Sequence, residues 1–160
     1  MKEVGNMVPQ NIRLLFENEQ LSIIKVLSLL QVLRNKSKRK YYTIEDITFY
    51  YSIVNFDLIK IFSKDININD LMKNRNKYLR FSKSVNQIIL ELSNLKYIDI
   101  RGDIFYKKEQ LKIKLNEKGE TFIKIFNSEY FIDIQELYED VIENIVNNSA
   151  NKNKVKGLLK

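Results

Sequence analysis

At 160 residues the chain suits a single domain with a helical extension, and its 44% hydrophobic content supports a real core. Four Gly and one Pro favour helices over a β-sandwich, while the lack of Cys and His excludes disulfides, zinc sites built on those ligands, and Cys- or Ser–His nucleophilic catalysis. The net charge of +7 permits a polyanionic partner; with no signal-peptide pattern and no apolar run of about 18 residues, the expected location is cytoplasmic, with no membrane partner.

Residues 1–18 read as an arm carrying one apolar cluster, Ile12, Leu14, Leu15 and Phe16. A first helix is expected over 21–33, where Leu21, Ile24, Leu27, Leu30 and Leu33 recur at helical spacing and Ile23, Val26 and Leu29 widen the stripe. RNKSKRK at 34–40 closes it with cations suited to the negative end of the helix dipole. That run, Arg34, Lys36, Lys38, Arg39 and Lys40, reads as a phosphate-binding patch or as a solvated loop, with the loop preferred.

Thr43 and Asp46 have capping-box spacing and open a second helix, expected to reach about Phe62 through Ile44, Ile47, Tyr50, Tyr51, Val54, Leu58 and Ile61. The aromatic cluster Tyr41, Tyr42, Phe49, Tyr50, Tyr51, Phe56 and Phe62 reads as core rather than as a base-stacking platform, with Tyr41 or Tyr42 as the exposed exceptions. Residues 63–81 are polar and contain Lys73, Arg75, Lys77 and Arg80, with at most a short helix around 68–74. A third helix is expected to open at Ser84, again with a capping-box pattern to Gln87. Val85, Ile88, Ile89, Leu92 and Leu95 form its inner face, and Lys83, Asn86, Gln87, Glu91 and Asn94 its outer one.

A hairpin follows. Tyr97, Ile98, Ile100, Ile104 and Phe105 make one strand with a bend at Gly102, and Lys107 to Gln110 form the tip. Leu111, Ile113 and Leu115 alternate with Lys112, Lys114 and Asn116, which means one buried and one wet face. Asn116 is placed to cap a helix through Phe122, Ile123 and Phe126. A last helix over about 133–146 has the stripe Ile134, Leu137, Tyr138, Val141, Ile142 and Ile145 opposite an acidic face of Asp133, Glu136, Glu139, Asp140 and Glu143. The remainder, 149–160, is polar and basic and is expected to be mobile.

The order of these elements implies a mainly α fold with a small β-hairpin, a winged helix-turn-helix with a C-terminal helical extension. It divides into an arm (1–18), a winged-helix domain (19–127), an acidic amphipathic helix (128–148) and a flexible tail (149–160). A third helix and hairpin facing outward together can meet a DNA groove and a neighbouring phosphate. The candidate nucleic-acid contacts are Lys83, Asn86, Gln87, Arg101, Lys107, Lys108, Lys112 and Lys114. The hairpin lysines read equally as the solvated face of an edge strand. A third helix opening at Ser84 contains no Arg, which counts against base reading and favours sequence-independent phosphate contact. The acidic helix would repel DNA; Glu136, Leu137, Glu139, Asp140 and Glu143 are candidates for partner docking, against self-packing as the other reading. The carboxylate pairs Glu45/Asp46 and Asp65/Asp70 have no supporting base, and no phosphate loop occurs, so the reading is non-catalytic, with no cofactor and no metal.

The segment LKIKLNEKGETFIKIF resembles the second wing strand and following helix of the MarR and PadR-type families, with Asn116 at their cap position and Gly119 matching their glycine. ENEQLSIIKVLSLLQVL, then TIEDITFYYSIVNF, then the hairpin, is similar over about residues 15–145 to the small middle component of ABC-three-component defence systems, which include Lamassu. That resemblance implies a winged-helix subunit linking an SMC-like ATPase to an effector enzyme in anti-phage or anti-plasmid defence, with DNA sensed mainly by the ATPase. The MarR/PadR resemblance implies instead a homodimeric DNA-binding transcriptional regulator. A phage or plasmid replication-accessory protein is a third reading.

Overall fold

A computed structural model describes residues 10–62, 68–102 and 111–157. In chain order it contains α1 (Gln10–Lys36), β1 (Tyr42–Thr43), α2 (Ile44–Asn55), a 3-10 turn (Leu58–Phe62), α3 (Ile68–Asn94), β2 (Ile98–Arg101), β3 (Lys112–Leu115), α4 (Glu117–Ile123), α5 (Glu129–Asn144) and α6 (Ser149–Lys156). The fold is mostly helical with a small antiparallel sheet of order β1-β3-β2.

The apolar stripe of α1 is wide enough to make this helix the centre of the molecule. Val26, Leu27, Leu29, Leu30, Val32 and Leu33 are all buried, and α1 packs against α2, α4, α5 and β3. Its buried Ser28 hydroxyl donates to Ile24 O one turn back (2.9 Å), so the centre holds a satisfied polar group. The helix begins at Gln10, inside the stretch expected to be an arm.

The capping box of α2 forms as its spacing predicts: Asp46 N–H donates to Thr43 Oγ1 (3.1 Å) and Thr43 N–H to Asp46 Oδ2 (3.0 Å). The helix stops at Asn55 rather than near Phe62, because Asp57 takes a left-handed conformation (φ 52°). The chain continues as the 3-10 turn, which still buries Leu58. The aromatic cluster is largely core, with Tyr42, Phe49, Tyr50 and Tyr51 buried.

The largest departure is α3. No break occurs at Ser84; one helix runs from Ile68 to Asn94. Ser84 Oγ donates to Phe81 O (3.1 Å), so its hydroxyl serves a helix interior instead of a cap. Burial of Tyr78, Phe81, Val85, Ile88, Ile89 and Leu92 drives the continuation, and Phe81 lies flat on Tyr51 of α2 with centroids 3.8 Å apart. Leu95, expected on the inner face, falls past the helix end and is exposed; Lys96 then turns the chain through a left-handed conformation (φ 62°).

The alternation of β3 is borne out: Leu111, Ile113 and Leu115 are buried and Lys112 is exposed. Ile98 pairs with Leu115 and Ile100 with Ile113 on the inner face, while Asp99 pairs with Lys114 and Arg101 with Lys112 on the outer. The two-residue β1 was not expected; it adds Tyr42 opposite Ile113 and Thr43 opposite Lys112. Asn116 caps α4, accepting from Gly119 N–H (2.8 Å).

The stretch expected to be a mobile tail forms α6. Asn148 caps it through Asn151 N–H (2.8 Å), Val155 is buried, and Lys152 and Lys156 reach Asp46 (2.6 Å) and Glu45 (2.8 Å) at the start of α2. Burial alone would raise the Asp46 carboxyl, but hydrogen bonds from Lys152, Asn147 and Thr43, with the Lys152 charge, hold it below its ordinary value.

Arg34 joins three elements. Its Nε donates to Glu120 Oε2 (2.8 Å) on α4 and its Nη1 to Leu115 O (2.9 Å) at the end of β3. Hydrogen bonds from Arg34, then Lys124 and Gln31, bring the Glu120 carboxyl from 4.5 to about 2. Arg34→Gln is expected to cost about 2 kcal/mol at neutral pH, since it removes charge-assisted bonds from a mostly buried guanidinium. The folded value of Glu120 lies below the unfolded one, so its contribution is complete above pH 4.5 and is lost as pH falls towards about 2. Urea unfolding at stepped pH checks this: the wild type should lose stability across that window more steeply than Arg34→Gln, and parallel curves would remove the pair.

Candidate nucleic-acid interface

The outer face of the sheet gathers cations around one ring. Tyr41, just before β1, is half-buried, and the Arg101 guanidinium lies 4.1 Å from its ring centroid. Lys114 Nζ is 4.9 Å from the same centroid, and Lys112 stands opposite Arg101. A ring face attracts cations, so Tyr41 holds two long side chains in place that would otherwise repel each other. Asp99, opposite Lys114, offsets part of the charge. Lys107 and Lys108, with the expected hairpin tip, lie outside the described residues.

α3 packs against β2, and an outer ridge of the helix faces solvent. Asn76, Arg80 and Lys83 succeed one another on the ridge at three- and four-residue steps, and all three are exposed. The expectation of a third helix without Arg is therefore corrected: α3 contains Arg75 and Arg80. Ser84 lies inside the helix and not at its start, so the helix takes in both arginines. Arg80 and Lys77 are exposed cations that the reading assigned to a loop; the three- and four-residue spacing of Tyr78, Phe81, Val85 and Ile88 was the signal that could have found them. The three expected contacts on this helix do not form one cluster. Lys83 is on the ridge, Asn86 turns to a cleft beside α6, and Gln87 lines a groove of about 110 Å³ against Glu19, Ser22 and Ile23 of α1.

The exposed face of α5 is acidic. Asp133, Glu136, Glu139, Asp140 and Glu143 are all exposed. Leu137, expected in the buried stripe, is also exposed (52%), so the packing face is narrower than its periodicity implied: Ile134, Tyr138, Val141 and Ile145. Glu143 accepts from Lys36 Nζ (2.8 Å), which holds its carboxyl below the ordinary value. Of the basic run at 34–40, Arg34 and Lys36 are thus engaged with Glu120 and Glu143, while Lys38, Arg39 and Lys40 are exposed.

Among the described residues no group of three or more acidic side chains is arranged to hold a metal ion, and no helix is long and apolar enough to cross a membrane. No protein-family model, curated protein or solved structure matches this chain.

Proposed function

We propose that the chain is a non-catalytic winged-helix subunit of a bacterial anti-phage or anti-plasmid defence complex, joining an SMC-like ATPase to an effector. In this reading α3 and the β2–β3 hairpin touch DNA without reading its sequence. The observation that carries it is the assortment of charge by element: Arg80 and Lys83 on α3 and Arg101, Lys112 and Lys114 on the sheet, against five exposed acids on α5. The cationic elements suit phosphates, whose contact needs charge but no base-edge geometry. The acidic helix, with Leu137 exposed among its carboxylates, suits a protein partner and would be repelled by DNA. The middle-component resemblance supplies the partner classes.

The test combines salt titration with co-purification. Binding of a random-sequence duplex should weaken steeply with salt, and Arg80→Gln/Lys83→Gln and Arg101→Gln/Lys112→Gln should each reduce the slope of log K against log salt by about two units. Unchanged slopes in both would remove DNA from this surface. The chain should co-purify with the products of its neighbouring genes, and Glu136→Lys/Asp140→Lys should release them. A tight homodimer selective for one DNA sequence would replace this reading with the MarR/PadR-like regulator.

A further inference from the structure

Building on the assignment of α5 to a protein partner, we propose that this helix receives an amphipathic helix of that partner, one whose apolar line is flanked by Lys or Arg. The docking line is Tyr130, Asp133, Leu137 and Asp140, which succeed one another along α5 at three- and four-residue steps. All four are exposed, and Tyr130 and Leu137 are large apolar groups about half open to water (49% and 52%). α5 packs on α1 and α2 through Ile134, Tyr138 and Val141, so Tyr130 and Leu137 are left outside that contact.

Charge selects the partner. α5 carries no Lys or Arg, and no cation occurs between Lys124 and Lys152 of the chain. Glu143 is held by Lys36 (2.8 Å), and Asp140 accepts from Asn144 Nδ2 (2.7 Å). Asp133, Glu136 and Glu139 have no ion pair among the described residues. Asp133 with Glu136, Glu136 with Asp140, and Glu139 with Glu143 stand three or four residues apart, where like charges destabilise a helix. Lysines or arginines brought by a partner relieve that repulsion, whereas phosphates would add to it. A second α5 laid on the first would set carboxylate against carboxylate, so the face disfavours a symmetric homodimer.

Spacing selects a helix over an extended segment. Tyr130 and Leu137 lie two turns apart, about 10 Å along the α5 axis. Apolar residues two turns apart on another helix match that distance on a single face. An extended strand covers it in about three residues, which puts the two side chains on opposite faces.

Calorimetric titration of the full chain at low salt with a synthetic peptide of two LKKLLKL heptads tests the proposal. The controls are the same peptide with Glu for every Lys, and one of the same composition in an order that destroys the apolar line. Saturable 1:1 binding of the ordered Lys peptide alone is expected. Leu137→Gln and Asp133→Asn/Asp140→Asn, all at exposed positions, should each weaken it by about tenfold. Glu139→Gln, across the helix from Leu137, should change it by less than about twofold. Absence of saturable binding would overturn the site, as would equal binding of the disordered peptide or unchanged affinity in the first two variants. Sedimentation mass that rises with concentration in the wild type but not in Leu137→Gln would also overturn it, because a second copy would then occupy the line. If the neighbouring gene products co-purify and Glu136→Lys/Asp140→Lys releases them while no Lys peptide binds, the subunit assignment stands and the basic-helix partner falls. Peptide binding without co-purification gives the reverse.

Discussion

Gly119→Ala is expected to destabilise the fold by about 2 kcal/mol, although it adds a better helix former to α4. A Cβ there would press onto the Tyr97 carbonyl oxygen and come within 2.6 Å of Leu115 Cδ1. Neither neighbour can give way easily. Tyr97 O accepts from Asn116 N–H (3.1 Å), Tyr97 N–H donates to Leu92 O (3.1 Å), and the Tyr97 ring is stacked on Phe122 with centroids 4.6 Å apart. Leu115 is buried in the core under β3. The gain from replacing Gly by Ala in a helix is about 1 kcal/mol, while overpacking against fixed backbone costs about 1–3 kcal/mol and occasionally more, so the clash wins. Urea unfolding of the purified variant measures the outcome. A variant as stable as the wild type would mean that α4 does not sit against Tyr97.

Tyr138→Ala should be the most damaging single truncation on α5, costing about 3–5 kcal/mol. Its side chain is fully buried, and its hydroxyl accepts from Asn55 Nδ2 (2.7 Å) and donates to Lys25 O (3.2 Å), tying α5 to both α2 and α1. Tyr138→Phe keeps the volume and isolates the polar part. About 1 kcal/mol is expected for it, because Asn55 Nδ2 still donates to Tyr51 O (3.0 Å). Near-equal losses in the two variants would show that the hydroxyl network, and not the ring, holds α5. Burial pushes the Tyr138 hydroxyl well above its ordinary value of 10.0. The phenol therefore stays a donor at neutral pH, and its contribution is present below pH 10.0 and is lost as pH rises towards its folded value.

The candidate surface was legible where charge and period sufficed. Arg101 and Lys112 fall opposite each other on the outer sheet face because strand alternation forces them there once Ile98 and Ile113 are buried. Tyr41 as the ring that gathers Arg101 and Lys114 was foreseen only as an exposed aromatic. Arg80 was assigned to the wrong element altogether. The cleft beside α6 was invisible, because it needs a helix where composition alone implied a mobile tail.

What the sequence determined by itself was local. Thr43 with Asp46, Asn116 with Gly119, and the alternation through Ile113 each satisfy backbone groups or choose a face within a few residues, so any fold of this chain meets the same requirement there. Tertiary structure decided the two ambiguous cases, Ser84 and α6. A serine hydroxyl can accept from a free N–H at a helix start or donate to a carbonyl inside a helix, so the same residue fits both. Phe81 lying on Tyr51, thirty positions away in the chain, made Ser84 interior. Lys152 and Lys156 reaching Asp46 and Glu45, with Val155 buried beside them, turned a polar tail into a docked helix. Such choices rest on burial and charge partners distant in sequence, and a short polar helix has too little intrinsic stability to form without them.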